Sequence, residues 1–178
     1  IREVQSKINN PMQYSDELIG SFYQHILFGA LSTRNYLKRQ NFAAEVLMER
    51  YAEPLDAYAS MLGRSGTQPQ LDEAWKYLMI NSAHDSIHGS SVDEVHVEME
   101  YRYAAVGQIA TGLAHDSLKY IAMHMKPWWE GIGKGIVTFS PSNPGMPQLG
   151  QVWLPIADDK VCIYDKYGNA LPTQILPR

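Results

Sequence analysis

His84, Asp85 and His88 stand within five positions of one another, in the stretch Asn81-Ser82-Ala83-His84-Asp85-Ser86-Ile87-His88-Gly89-Ser90-Ser91-Val92-Asp93-Glu94-Val95-His96. Imidazoles and carboxylates are ligands for hard or borderline cations, and a carboxylate also accepts hydrogen bonds from hydroxyls. If one helix runs through the stretch, His84 and His88 share a face at i, i+4 and can clamp a single metal, with Asp85 about 100° away. If the helix ends near Ser86, that geometry dissolves and His84 must find its co-ligands elsewhere. The structural alternative is that His84 is a capping or packing residue at a helix end. Gly89 interrupts helix, and Ser91-Val92-Asp93-Glu94 reads as a capping box that opens a new one. His84 and Asp85 are therefore expected where one helix ends, beside the loop before the next, held rigidly yet exposed.

The other chemistry-bearing residues form no comparable group. Ala-His-Asp-Ser occurs at 83–86 and again at 114–117, but the second copy lies in a mid-helix pattern without turn residues, so His115 and Asp116 read as a solvated face. His25, His96 and His124 lack acidic or thiol partners at ligand spacing and read as surface or interhelix residues. Trp128-Trp129 can stack on a sugar ring or pack between domains. The chain contains no Gly-rich phosphate loop, no Gly-x-Ser-x-Gly elbow and no Cys-x-x-Cys.

The elements that must position these groups follow from apolar periodicity. Leu18, Ile19, Phe22, Ile26 and Leu27 recur at helical spacing after a lead-in over residues 1–16. A longer helix is expected from about Ser32, along the stripe Tyr36, Leu37, Gln40, Ala44, Leu47, Tyr51, Leu55, Tyr58, Ala59 and Leu62, bent but not ended by Pro54. Residues 63–69 read as a loop. Leu71, Ala74, Trp75, Leu78 and Met79 form a short amphipathic helix leading into the His84 stretch. Val92, Val95, Met99, Tyr103, Val106, Ile109, Leu113, Tyr120 and Ile121 sustain another long helix. The expected fold is mainly α: an antiparallel three-helix-type bundle over residues 17–125, a Gly-rich linker over 126–135, and a few β-strands of an incomplete β-sandwich domain over 136–178. Strands are expected at 136–139, 151–156, 161–164 and 171–176, with a hairpin turn over Asp165-Lys166-Tyr167-Gly168-Asn169. So few strands leave Val152, Trp153 and Leu154 without full cover, and the segment should pack on the bundle, pair with another copy or be mobile.

Composition sets outer bounds. The chain has 178 residues, 45% hydrophobic and 19% charged, which is ordinary for a folded domain rather than a disordered one. A net charge of −4 without a basic stripe argues against a nucleic-acid partner. No apolar run approaches the roughly 20 residues of a membrane span. A single cysteine, Cys162, excludes an internal disulfide and is compatible with a reducing compartment. Ile1 at the start and Pro177-Arg178 just after a strand-like run read as cuts through a longer polypeptide.

The stretch from Asn81 to Met99 resembles the central motif of glycoside hydrolase family 38 α-mannosidases, and within them the bacterial branch that includes mannosylglycerate hydrolases and exo-acting α-mannosidases. Two further stretches agree. Leu31-Ser32-Thr33-Arg34-Asn35-Tyr36-Leu37-Lys38-Arg39-Gln40-Asn41, followed by Ala52-Glu53-Pro54-Leu55, is similar to the first long helix of that family's middle domain. Asp165-Lys166-Tyr167-Gly168-Asn169 with Gln174-Ile175 is similar to an early hairpin of its C-terminal β region. The resemblance implies part of a zinc-dependent retaining α-mannosidase whose N-terminal barrel, outside this sequence, holds the other zinc ligands, the nucleophile and the acid/base. It implies that His84 is a zinc ligand and that Asp85 binds mannose hydroxyls, with no catalytic carboxylate in this chain. The isolated chain is then expected to be inactive and to bind zinc weakly or not at all. The implied partners are an α-mannoside or mannosylglycerate-like substrate and the barrel of the same chain, in a bacterial cytoplasm; nucleic acid and membrane are not expected, and oligomeric state stays open. Bacterial relatives often carry Cys where this chain has His88 and Ser90, which leaves His88 either incidental or a residue that tunes the surroundings of the metal ligand. The competing readings are a His-Asp metal phosphohydrolase domain, for which the chain offers no convincing further ligands, and a helical interaction module without catalysis.

Overall fold

Three helical segments carry the core, and the first is shaped by a proline. In the computed structural model, which describes residues 7–10, 13, 15, 28–125, 134–141, 147–155 and 161–176, helix α1 spans Asn35–Leu47 and helix α2 spans Glu53–Met61, joined by a π-helical turn over Met48–Ala52. Pro54 has no N–H to donate, and its ring crowds the carbonyl of Arg50. The chain widens one turn in response: the Glu53 N–H bonds the Met48 carbonyl, five residues back. The helix thus passes through Pro54, as the sequence predicts, but with a shifted register. Leu37, Ala44, Met48, Ala52, Leu55 and Ala59 are buried, whereas Tyr36, Tyr58 and Leu62, expected on the inner stripe, are exposed. The wider turn advances the stripe by about one residue, so Ala52 rather than Tyr51 meets the core.

Helix α3 spans Gln68–Asn81 and buries Leu71, Ala74, Leu78 and Asn81. A one-turn helix α4 covers His84–His88, and the 32-residue helix α5 spans Asp93–His124, about 48 Å at 1.5 Å per residue. Cross-helix bonds give the directions. Arg34 meets Asp93, Tyr103 meets Asn41, Ser117 meets Asp56, and Tyr120 meets Leu62. The α1–α2 segment therefore runs parallel to α5. Asn81 at the end of α3 meets Met99 and Arg102, while Thr67 at its start meets Asp56. So α3 runs antiparallel to both, completing an up-down-up bundle around Leu37, Met48, Leu78, Met99, Tyr103 and Val106.

Most buried polar side chains inside the bundle are paired, as burial requires, although Gln40 Oε1 is buried without a partner. Asp56 accepts from Thr67 Oγ1 at 2.9 Å and Ser117 Oγ at 3.5 Å, and Arg64 approaches it at 3.7 Å. Asn81 is fully buried and bridges two helices: its Nδ2 donates to the Met99 carbonyl at 2.9 Å, and its Oδ1 accepts from Arg102 at 3.1 Å. Burial and the nearby Glu45 carboxylate push the Tyr103 phenol up to about 12, so it stays a neutral donor to Asn41.

Beyond the bundle the β expectation is met only in part. Strands β1, Ile163–Tyr164, and β2, Ala170–Leu171, pair antiparallel as Ile163↔Leu171 and Tyr164↔Ala170. The turn forms where expected, with Gly168 at φ 85° and Asp165 Oδ1 accepting from the Tyr167 and Asn169 N–H groups. In contrast, the expected strands at 136–139 and 151–156 are not strands among their described residues, and within 171–176 only Leu171 pairs. A strand is defined by its ladder, and among the described residues no neighbour supplies one there. Phe139 instead packs edge-on against Tyr51 with ring centroids 6.3 Å apart, and Trp153 is 73% exposed. The helix expected over 18–27, His25 and Trp128-Trp129 lie outside the described residues.

Two outcomes follow. Replacing Asn81 with Ala removes two buried interhelix bonds, one to the Met99 carbonyl and one from Arg102, and should cost about 1–3 kcal/mol of stability, measured by urea unfolding. At the hairpin, bonds from the Asn169 side chain and backbone hold the Asp165 carboxyl below its usual value of 3.8. A depressed folded pKa gives stability that is present above the unfolded value and lost as pH falls through the folded one. The Asn169 and Gly168 amide resonances should therefore keep their hairpin positions at neutral pH and move toward disordered values only below about pH 4.

Candidate functional site

The connection between α3 and α5 is built from backbone outward. Helix α3 stops at Asn81; the Ser82 hydroxyl bonds back to the Leu78 carbonyl at 3.0 Å, and Ala83 turns extended at ψ 133°. The Ala83 carbonyl then accepts from the Ser86 and Ile87 N–H groups and starts α4 afresh. His84 and Asp85 thus open a separate one-turn helix rather than closing the preceding one, which corrects the sequence expectation. The cause is local: one extended residue breaks the ladder, and its carbonyl re-nucleates it. At the far end Gly89 adopts φ 96°, and the Asp85 carbonyl gathers the N–H groups of Gly89, Ser90 and Ser91 at 3.1–3.3 Å.

The capping box expected at Ser91–Glu94 is not formed. Val92 is the residue before α5, and no side chain caps it. The Ser91 carbonyl is used instead by His96, whose Nε2 donates to it at 3.1 Å while Nδ1 lies 3.4 Å from Met99 Sδ. His96 is buried at 1% exposure, an interhelix residue and not a surface one.

His84 projects fully, with its side chain 94% exposed, and Asp85 is 66% exposed. His84 Nε2 lies 3.3 Å from Asp85 Oδ1, and Ser90 Oγ donates to the same oxygen at 3.4 Å. His88 is half-buried and turns its Nδ1 to Ser90 Oγ at 3.3 Å. Among the described residues, no group of three or more His, Cys, Asp or Glu side chains converges on a metal-sized space. What the turn presents is one exposed imidazole and one exposed carboxylate, side by side. Such a donor set suits one ligand of a zinc ion whose other ligands come from elsewhere; it does not make a complete site. The second Ala-His-Asp-Ser copy sits on the open face of α5, with His115 and Asp116 exposed and 3.3 Å apart.

Sequence reasoning assigned no role to Arg34 or Lys38, yet both reach this turn. Lys38 Nζ donates to the carbonyls of Ile87 at 3.0 Å, His88 at 3.2 Å and Thr33 at 2.5 Å. Arg34 Nε donates to the Gly89 carbonyl at 3.3 Å and its Nη2 to Asp93 at 2.6 Å. One signal was available. Cations at i, i+4 in the first turn of a helix oppose the helix dipole, so they imply acceptors supplied from another element.

These features coincide with a known domain. Residues 25–121 match the family described as "Alpha mannosidase middle domain". The chain belongs to that family. A Halalkalibacterium halodurans protein named as a candidate mannosylglycerate hydrolase is 35% identical over 96 residues, covering 54% of this chain and 10% of its own. A crystal structure of a protein in glycosyl hydrolase family 38 from Enterococcus faecalis aligns with a TM-score of 0.51 at 33% identity, covering 68% of this chain and 13% of that one. The chain therefore spans about a tenth of the length of these relatives. No helix among the described residues is long and apolar enough to cross a membrane.

Gly89 offers a test of how tightly the turn is held. A Cβ there would lie 2.8 Å from Thr33 Cγ2, on a backbone that L-residues rarely adopt. Gly89→Ala should cost about 1–3 kcal/mol in urea unfolding. Adding Thr33→Ser, which removes the opposing methyl, should recover the steric share and leave the backbone share.

Proposed function

We propose that this chain is the middle-domain segment of a zinc-dependent retaining α-mannosidase of a bacterial cytoplasm, acting on an α-mannoside or mannosylglycerate-like substrate. In this reading residues 17–125 form the helical middle domain, 126–135 a linker and 136–178 the start of a C-terminal β region. The observation that carries it is the exposed His84–Asp85 pair on a fixed turn of a chain belonging to the α-mannosidase middle-domain family.

The division of labour follows from the two side chains. The imidazole of His84 is a neutral nitrogen donor that completes a metal's ligand set without adding charge. Zinc, when bound, supplies an electrophilic centre for sugar oxygens. The Asp85 carboxylate is an acceptor for sugar hydroxyls, and its bond from Ser90 leaves further lone pairs free. A retaining glycosidase also needs two carboxylates about 5–5.5 Å apart. Asp85 and its neighbours do not make such a pair, so the nucleophile and acid/base belong to other parts of the longer protein.

In the full-length protein, His84→Ala should sharply weaken zinc retention against a chelator and abolish most activity. Asp85→Asn should leave zinc in place and cost about 1–3 kcal/mol of substrate or transition-state binding, read as a fall in kcat/KM on a chromogenic α-mannoside. The isolated 178-residue chain should hydrolyse nothing and lose zinc readily. Tight stoichiometric zinc in the isolated chain would instead favour a His84/His88 clamp.

A further inference from the structure

Resting on that reading of His84 and Asp85, we propose that Lys38 and Arg34 are positioning residues, a two-cation clamp that sets where the His84–Asp85 pair points. The first observation is how Lys38 is used. Its ammonium is half-buried, and its bonds to the 84–88 turn go to the consecutive backbone carbonyls of Ile87 and His88. These are the last carbonyls of α4, which have no partner inside so short a helix. Helix α4 is five residues long, about 7.5 Å. Fixing its last turn fixes its first, because there is only one turn, and His84 and Asp85 are its first two residues.

The second observation concerns Arg34 and is independent of the first. Arg34 stands just before α1 in the left-handed conformation, φ 49° and ψ 50°, which an L-residue with a long side chain adopts at a cost. Its guanidinium joins Gly89, the residue after α4, to Asp93, the first residue of α5. Both ends of residues 89–93 are thereby tied to one side chain. Gly89 is also pressed against Thr33 and Arg34, so the turn rests on the start of α1 as well as bonding to it. Between the two cations, fully buried Leu37 locks α1 into the core. The clamp thus ties the exposed pair to the buried core of the bundle. A charge-assisted bond suits this use, since it is shorter and stronger than a neutral one.

The test uses the full-length protein, zinc itself as the probe and a chromogenic α-mannoside. Lys38→Met should speed zinc loss to a chelator about tenfold and lower kcat/KM by at least about tenfold, in the range expected for residues that orient metal ligands. Lys38→Arg, which keeps a charged donor, should restore both to within about threefold of wild type. Hydrogen exchange should rise for the amides of residues 86–91 and stay unchanged in the α3–α5 core. Arg34→Lys keeps the charge but removes the fork, and should reproduce the pattern if Lys38→Met fails to fold. His84→Ala is the control. If it impairs zinc retention and Lys38→Met does not, the clamp is overturned while the functional reading stands. If His84→Ala itself changes neither zinc nor activity, the functional reading fails and the clamp falls with it. A uniform rise in exchange across the bundle, with zinc loss unchanged, would show a merely structural role and overturn the proposal.

Discussion

The carbonyls at the end of a one-turn helix need donors, and in this chain the donors come from the start of α1, 49 to 55 residues away in sequence. Helix α4 cannot satisfy the carbonyls of Ile87 and His88 itself. Lys38 does so, and Arg34 does the same for Gly89. That requirement fixes the position of the start of α1, hence the parallel placement of α1–α2 on α5, because Arg34 and Lys38 must lie beside residues 87–93. The antiparallel α3 then fills the remaining face, and the buried Asn81 ties its end to α5 one helical turn from the site.

Most of the bundle is written in its apolar periodicity. Leu37, Ala44, Leu55, Leu71, Leu78, Met99, Val106 and Leu113 are where a 3.6-residue stripe predicts them. The departures have identifiable causes. Tyr58 and Leu62 lost their places because a π turn, forced by Pro54, changed the phase of the stripe. Such a change depends on how a helix resolves a missing N–H, which apolar spacing does not record. Ser117 is buried against a partner, Asp56, that is 61 residues away in sequence, and His96 against the carbonyl of Ser91 and the sulfur of Met99.

At the site, the residue types were legible and their setting was not. His84 and Asp85 could be singled out from spacing, and the punctuation at Gly89 was read correctly. That Ala83 would break the ladder and Asp85 begin a fresh turn depends on one ψ angle. The capping box is absent because Val92, not Ser91, precedes the helix, while neighbouring groups find other partners. Asp93 is taken by Arg34, and the Ser91 carbonyl by His96. In the β segment, alternation marked strand-like runs, but a strand also needs a neighbour. Only the hairpin, whose turn brings its own partner, became a ladder.

In the proposed reading, the same logic accounts for a functional pair that is exposed, although exposure usually argues against function. A side chain that completes a metal site in its own domain is normally buried among its co-ligands. One that completes a site shared with another domain must be bare until that domain is docked, and its orientation cannot come from those co-ligands. It has to come from beneath. In this chain that support is present: the ring and carboxylate are open to solvent, while every carbonyl from Ile87 to Gly89 is bonded to a cation rooted in α1. Bonded backbone under exposed side chains is the arrangement that the proposed divided site would use.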